Sequence, residues 1–217
     1  ITGQFGALHH LVNNAGVMLL GAVEGWDIKD WERMIDVNLL GLLYCSREAI
    51  PVISSYGDAL GIRAFANRVS LADDLADKEF MAMRELARVP LINMESAIQH
   101  PCQSLADWKT MDELGIPKQG GKFVLSWSWH PKALPLAVPS ATLHMAAMRG
   151  MDVTVVRPDG FALPPSIMAK AEQAAKLSGG SVRETNERAE AYEGAHVIYA
   201  KEWASTRHYG DRVGDQK

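Results

Sequence analysis

Pro90-Leu91-Ile92-Asn93-Met94-Glu95-Ser96-Ala97-Ile98-Gln99-His100-Pro101-Cys102-Gln103 sets an apolar run, a carboxylate, an imidazole and a side-chain amide side by side. Pro101 marks a helix start, because the N–H that proline lacks would have no intrahelical partner at the first helical position. His100 is then the cap residue and Gln103 lies in the first turn. The N–H groups of such a turn, with the positive end of the helix dipole, favour a bound anion such as phosphate. Leu91 to Met94 therefore reads as a strand, and Glu95 to His100 as a loop presenting polar groups at its end. The plainer alternative is a buried strand-to-helix corner that binds nothing.

Working outward, the spacing predicts a short strand from Ala59 to Ile62 with Arg63 at its exit. Asp73 to Ala87 reads as one solvated, amphipathic helix, with Asp73, Asp74 and Asp77 on its wet face. Downstream, Leu105, Trp108, Met111 and Leu114 continue the helix begun at Pro101 until Gly115 and Pro117 stop it. Gly120-Gly121 reads as a domain hinge. Beyond it come a strand (Phe123 to Trp127), a helix that Gly150 terminates, and a β-branched strand (Asp152 to Arg157). A helix from Pro165 to about Ser178 follows, ended by Gly179-Gly180. A weaker strand (Ser181 to Thr185), a short helix capped by Asn186 and a strand (His196 to Ala200) complete the series. Such alternation predicts an α/β protein: parallel strands with helices on both faces. Trp127, Trp129 and Trp203 read as core.

Parallel strands point one way, so groups that follow their C-terminal ends gather along one edge, where open α/β folds bind ligands. By that rule His130, Asp159 and Lys201 share an edge, and Arg63, Glu95 and His100 share another. Facing each other across Gly120-Gly121, they would form a cleft suited to a small, multiply anionic substrate. His130 could instead merely cap a helix, and Lys201 could be a surface lysine.

A chain of 217 residues holds one large or two small domains. The formal net charge of −4 gives no reason to expect a nucleic-acid partner. Cys45 and Cys102 are too few for a disulfide framework, so a reducing cytoplasm is expected. The apolar run around Ala133 to Met148 is interrupted by Pro135, Pro139 and His144, and no membrane insertion is expected. The chain opens on Ile1-Thr2-Gly3 and closes on Gly214-Asp215-Gln216-Lys217, so both ends look cut.

Two resemblances follow. Ala7 to Gly16 reads as a strand running into a turn, and a helix capped by Asp27 follows with Ile28, Trp31, Ile35, Leu39 and Leu42 on one face. Asn13-Asn14-Ala15-Gly16 with Trp31-Glu32-Arg33-Met34-Ile35-Asp36-Val37-Asn38-Leu39 resembles the short-chain dehydrogenase/reductases over residues 1–48. That resemblance implies a turn lying against a nicotinamide cofactor and a catalytic role for Asn38. Yet no Gly-rich turn follows a first strand. None of Tyr44, Tyr56, Tyr192, Tyr199 and Tyr209 is followed four residues later by Lys. NAD(P)-dependent reduction is thus an alternative reading, alongside a non-catalytic fusion or fold remnant.

Asn93-Met94-Glu95-Ser96, His100-Pro101-Cys102-Gln103-Ser104-Leu105-Ala106-Asp107, Trp129-His130-Pro131-Lys132 with Leu134-Pro135, and Tyr199-Ala200-Lys201-Glu202-Trp203 resemble the carbamoyltransferases, in their N-acylornithine branch. The likeness runs from residue 48 to 217 and implies two partial Rossmann-like lobes of the aspartate/ornithine carbamoyltransferase type. The first (49–121) belongs to a carbamoyl phosphate-binding domain, the second (122–217) to an acylornithine-binding domain. Arg63, His100 and Gln103 match positions that bind carbamoyl phosphate. There His100 and Gln103 polarise the carbonyl and Arg63 holds the phosphate. Glu95, His130 and Lys201 match positions that hold the acylated ornithine. The resemblance implies a homotrimer and a reaction that needs neither cofactor nor metal. The family's Ser-Thr-Arg-Thr loop and His-Cys-Leu-Pro segment are absent from the 217 residues. Weak or no activity of this chain is therefore expected.

Overall fold

A computed structural model describes residues 27–53, 58–131 and 134–211. The predicted strand at Ala7 and the Asn13-Asn14-Ala15-Gly16 turn lie outside the described residues. Helix α1 (Ile28–Ile35) begins where expected, with the Asp27 carboxylate accepting the Lys29 N–H at 3.0 Å. A π-helical turn (Asp36–Leu40), which contains Asn38, leads into α2 (Gly41–Ile53). Ile28 and Ile35, assigned above to the apolar face, are both exposed.

The chain divides into two compact units, one reaching to Gly61 together with Met81–Ile92, the other holding Ile62–Phe80 and everything from Asn93 onward. All six proposed site residues and the Gly120-Gly121 pair lie in the second. Strand β1 (Leu60–Arg63) takes Arg63 as its last residue, and β2 (Leu91–Glu95) takes Glu95. The two strands pair, and the Leu60 N–H to Pro90 carbonyl and Ala64 N–H to Glu95 carbonyl bonds advance together along both. That is the parallel sense.

The acidic segment departs from expectation. It forms two helices, α3 (Leu71–Leu75) and α4 (Lys78–Leu86), parted by Asp77 at φ 49°. Asp74 and Asp77 do not form a wet face. Asp74 is buried, and its carboxylate accepts the N–H groups of Asn67 (3.3 Å) and Arg68 (2.9 Å) and the Tyr209 hydroxyl. Asp77 accepts the Ser96 hydroxyl at 2.9 Å. The physical reason is the turn before α3: Arg68 is left-handed (φ 61°), so its N–H and that of Asn67 fall outside any ladder and need an acceptor. Burial and the neighbouring Asp74 charge push the Tyr209 phenol well above the usual range.

Helix α5 (Pro101–Glu113) starts as predicted, with His100 as cap, and ends at Gly115 (φ 67°). Buried Arg149 ties its far end down, donating to Asp112 (2.7 Å) and to the carbonyls of Ile116 (2.8 Å) and Pro117 (2.9 Å). Asp112 is held below the usual carboxylate range by that bond to Arg149. At Gly121 an added Cβ would sit 2.2 Å from the Pro117 carbonyl oxygen, so only glycine fits this tight turn.

Beyond the turn, β3 (Lys122–Trp127), α6 (Ala137–Met148), β4 (Asp152–Val156), α7 (Pro165–Ser178), β5 (Ser181–Thr185), α8 (Arg188–Tyr192) and β6 (Val197–Lys201) follow. The sheet has the order β5-β4-β3-β6, and every pairing is parallel. Alternate residues go to opposite faces. Phe123, Leu125, Val153 and Val155 pack with Leu143, Ala147, Ile167 and Ala171 of α6 and α7, while Val124 and Val156 pack on Ala191 of α8. Each fully buried apolar side chain contributes about 1.5–3 kcal/mol relative to exposure.

Three further expectations are corrected. Glu187, not Asn186, precedes α8, because the Thr185 hydroxyl takes the Glu187 N–H at 3.1 Å and makes a turn of the preceding residue. Trp203 is core and Trp127 half-buried, but Trp129 is 68% exposed. The Trp127 and Trp203 indoles spend their N–H groups on the Trp203 and Phe161 carbonyls, at 3.0 and 2.9 Å. Trp129 lies past the end of β3, where the strand's alternation no longer turns it into the core. Finally, α6 begins at Ala137, so His130 caps no helix.

Candidate functional site

Strand β2 delivers Glu95 to the mouth of the corner with its side chain only 8% exposed. A buried carboxylate must be paired and hydrogen-bonded. Arg63, at the end of the neighbouring strand, forms an ion pair with it, and His100 Nε2 lies 3.4 Å from the same Glu95 oxygen. The other His100 nitrogen, Nδ1, accepts the Gln103 N–H at 3.3 Å. With Nδ1 engaged by the Gln103 N–H, Nε2 is the ring nitrogen turned toward Glu95. The outer face of Arg63 is half exposed, and its guanidinium rests 4.7 Å above the Phe65 ring.

The loop between Glu95 and His100 is held rigidly. The Ser96 N–H donates to the Gln99 carbonyl at 2.7 Å. Asn93 Nδ2 donates to Ser96 Oγ (3.0 Å), which donates in turn to Asp77 (2.9 Å). Burial raises the Asp77 carboxyl, and the Ser96 hydroxyl partly opposes it. One turn into α5, Gln103 Nε2 donates to Asp107 Oδ1 at 2.8 Å. The sequence reading gave Asp77 to a wet helix face and quoted Ser96 and Asp107 within motifs, without a role at the site for any of them. Only the four-residue step from Gln103 to Asp107 carried a signal.

Lys201 and His130 form a second group, at the C-terminal edge of the four-stranded sheet. Lys201 ends β6 in register with Trp127, and the Ser128 N–H donates to its carbonyl at 3.1 Å. His130 follows two residues later and is exposed. Lys201 is half-buried rather than a free surface lysine, and burial lowers its ammonium pKa against the raising effect of Glu202. Glu202 is itself buried and accepts the Leu134 N–H at 2.6 Å. Asp159, expected on this edge, is exposed and lies 3.6 Å from Arg157. Tyr199, two residues before Lys201, has its phenol raised by burial and by the nearby Asp107 charge. Arg63, Glu95 and His100 thus meet by direct contact, whereas His130 and Lys201 are related by strand register. Among the described residues no group of three or more His, Cys, Asp or Glu is arranged to hold a metal ion. No described helix is long and apolar enough to cross a membrane.

These features define an α/β protein whose charged and polar groups collect where parallel strands end. Comparison with known proteins carries this further. Residues 45–113 match the carbamoyl phosphate-binding domain of the aspartate/ornithine carbamoyltransferases, and residues 137–215 match their Asp/Orn-binding domain. Residues 1–70 match the short chain dehydrogenase model, so the two likenesses overlap over residues 45–70. The N-acetylornithine carbamoyltransferase of Xanthomonas campestris pv. campestris is 38% identical over 167 residues, 76% of this chain and 49% of its own length. The N-succinylornithine carbamoyltransferase of Bacteroides thetaiotaomicron is 32% identical over 167 residues, covering 77% and 48%. A crystal structure of N-acetyl-L-ornithine transcarbamylase superposes with a TM-score of 0.70 at 36% identity, covering 76% of this chain and 51% of that one. This chain belongs to the aspartate/ornithine carbamoyltransferase family. It spans about half the length of the curated relatives it matches.

Proposed function

We propose that the chain binds carbamoyl phosphate and an N-acylated ornithine and carries part of the machinery for transferring the carbamoyl group to the ornithine δ-amine. The observation that carries this reading is the convergence of Arg63, at the end of a strand, and His100, at the cap of a helix, on the buried Glu95 carboxylate. The amine attacks the carbamoyl carbon and phosphate leaves. In this reading Arg63 holds the phosphate, His100 and Gln103 engage the carbamoyl group, and Glu95, His130 and Lys201 hold the acylornithine. Oriented reactants, a polarised carbonyl and cations for the departing phosphate suffice for such a step. Residues 49–121 would serve the first substrate and 122–217 the second, in a cytoplasmic homotrimer. The two unpaired cysteines, Cys45 and Cys102, accord with a reducing compartment.

The test is thermal stabilisation by carbamoyl phosphate, since a ligand that binds only the folded state adds about 2.7 kcal/mol at one hundred times its Kd. Wild type should melt higher with ligand, and Arg63→Ala should lose the shift. An unchanged melting temperature at high ligand would sink the reading. Because the 217 residues contain neither Ser-Thr-Arg-Thr nor His-Cys-Leu-Pro, only traces of carbamoyl transfer are expected from this chain alone. The match of residues 1–70 favours a second reading, nicotinamide-dependent reduction, which saturable NADH or NADPH binding would support.

A further inference from the structure

Gln103 is held at two points. Its backbone N–H is spent on His100 Nδ1, and its side-chain Nε2 donates to Asp107 Oδ1 at 2.8 Å. An ionised carboxylate can only accept hydrogen bonds, so the arm of the amide that faces Asp107 has to be the NH2 arm. The oxygen, Oε1, is thereby left on the other arm as an acceptor. Asp107 stands four residues further along the same helix face, the spacing at which side chains on a helix meet. Its second oxygen, Oδ2, is shielded from solvent and makes no hydrogen bond among the described residues. Asp107 itself is only partly buried; its carboxylate accepts from Gln103, and the Tyr199 phenol lies near enough to feel its charge.

We propose that Asp107 is a positioning residue that fixes the polarity of the Gln103 amide, so that the pocket accepts an acyl phosphate bearing an N–H donor on its carbonyl carbon and disfavours one that lacks it. The inference rests on the assignment of Gln103 to the carbamoyl phosphate site and sharpens it: Gln103 receives the carbamoyl NH2 through Oε1 instead of polarising the carbonyl. Acetyl phosphate differs from carbamoyl phosphate only in carrying a methyl group where the NH2 would be. With the amide held, that methyl group faces an acceptor it cannot satisfy, and a buried acceptor left without a donor weakens binding. With Asp107 gone, Gln103 can rotate and both compounds meet a compliant amide.

Calorimetric titration of the full chain with carbamoyl phosphate, acetyl phosphate and inorganic phosphate tests this. Wild type should bind carbamoyl phosphate more tightly than acetyl phosphate. In Asp107→Asn the ratio of the two affinities should fall by about five- to tenfold, the weight of one hydrogen bond, while inorganic phosphate binding stays within about twofold. Gln103→Met should abolish the preference, and adding Asp107→Asn to it should change nothing more. If Asp107→Asn does not fold, Asp107→Ser, which leaves room for water beside Nε2, is measured in the same way. A folded variant that keeps the wild-type ratio, or one that loses all three ligands equally, overturns the positioning role and leaves the function reading standing. If wild type binds no carbamoyl phosphate, the function reading fails and this inference falls with it.

Discussion

The molecule crosses from a strand to a helix through His-Pro twice, and the two crossings are built differently. In the first, His100 caps α5 directly and Pro101 takes the first helical position, so six residues bring the chain from Glu95 into the helix. In the second, the next described helix after His130-Pro131 begins only at Ala137. That loop is anchored instead from a distance, by the buried Glu202 carboxylate on the Leu134 N–H. The same dipeptide is therefore a cap only where helical residues follow it. At Pro131 a second proline four residues on, Pro135, delays the helix, because the residue before a proline is pushed away from helical geometry. The helix cap of the first crossing is made within three residues, whereas the second crossing is tied to a residue 68 positions later.

The sharpest way to break this comparison is Glu202→Ala. A charged acceptor on a backbone N–H is lost, and urea unfolding should show a destabilisation of about 2 kcal/mol. No change would mean that the second crossing holds itself. Next in size is the contrast between the histidines. His100→Ala removes a helix cap and should cost about 1 kcal/mol. The exposed His130, which caps no helix, should lose less than His100 on replacement by alanine. Equal effects at the two positions would erase the distinction. The smallest effect is at Lys201, whose folded pKa lies below that of the unfolded chain. Between those two values the unfolded state binds more protons, so the lysine's protonation works against folding at neutral pH and this penalty fades as pH rises toward 10.5. Lys201→Met should accordingly raise the melting temperature slightly near pH 7, with the gain shrinking toward pH 10. A gain that grows with pH would contradict the buried lysine.

The contrast also explains what was legible beforehand. Periodicity and turn residues located β3 through β6, because each apolar strand residue packs on a helix a few steps away and Gly150 and Gly179 take the left-handed positions that end α6 and α7. The His100 cap was legible for the same local reason. Asp74 was not, since its acidic neighbours suggest a wet helix face and only Tyr209, far away in sequence, reveals that it is buried. Nor was the exposure of Trp129, which depends on where its strand stops. Arg63, Glu95 and His100 were expected along one edge, but the ion pair between Arg63 and Glu95 was not, because strand-end topology gives the edge and not the pairing.

The hydrogen bond from Tyr209 to Asp74 joins positions 135 apart. At roughly 5–20 residues added per second, the ribosome finishes Asp74 roughly seven to twenty-seven seconds before it supplies Tyr209. Through that interval the newborn chain carries this carboxylate with only the Asn67 and Arg68 N–H groups to receive it. The turn around Asn67, Arg68 and Asp74 therefore gains its last partner late in synthesis, after every strand of the larger sheet has been made.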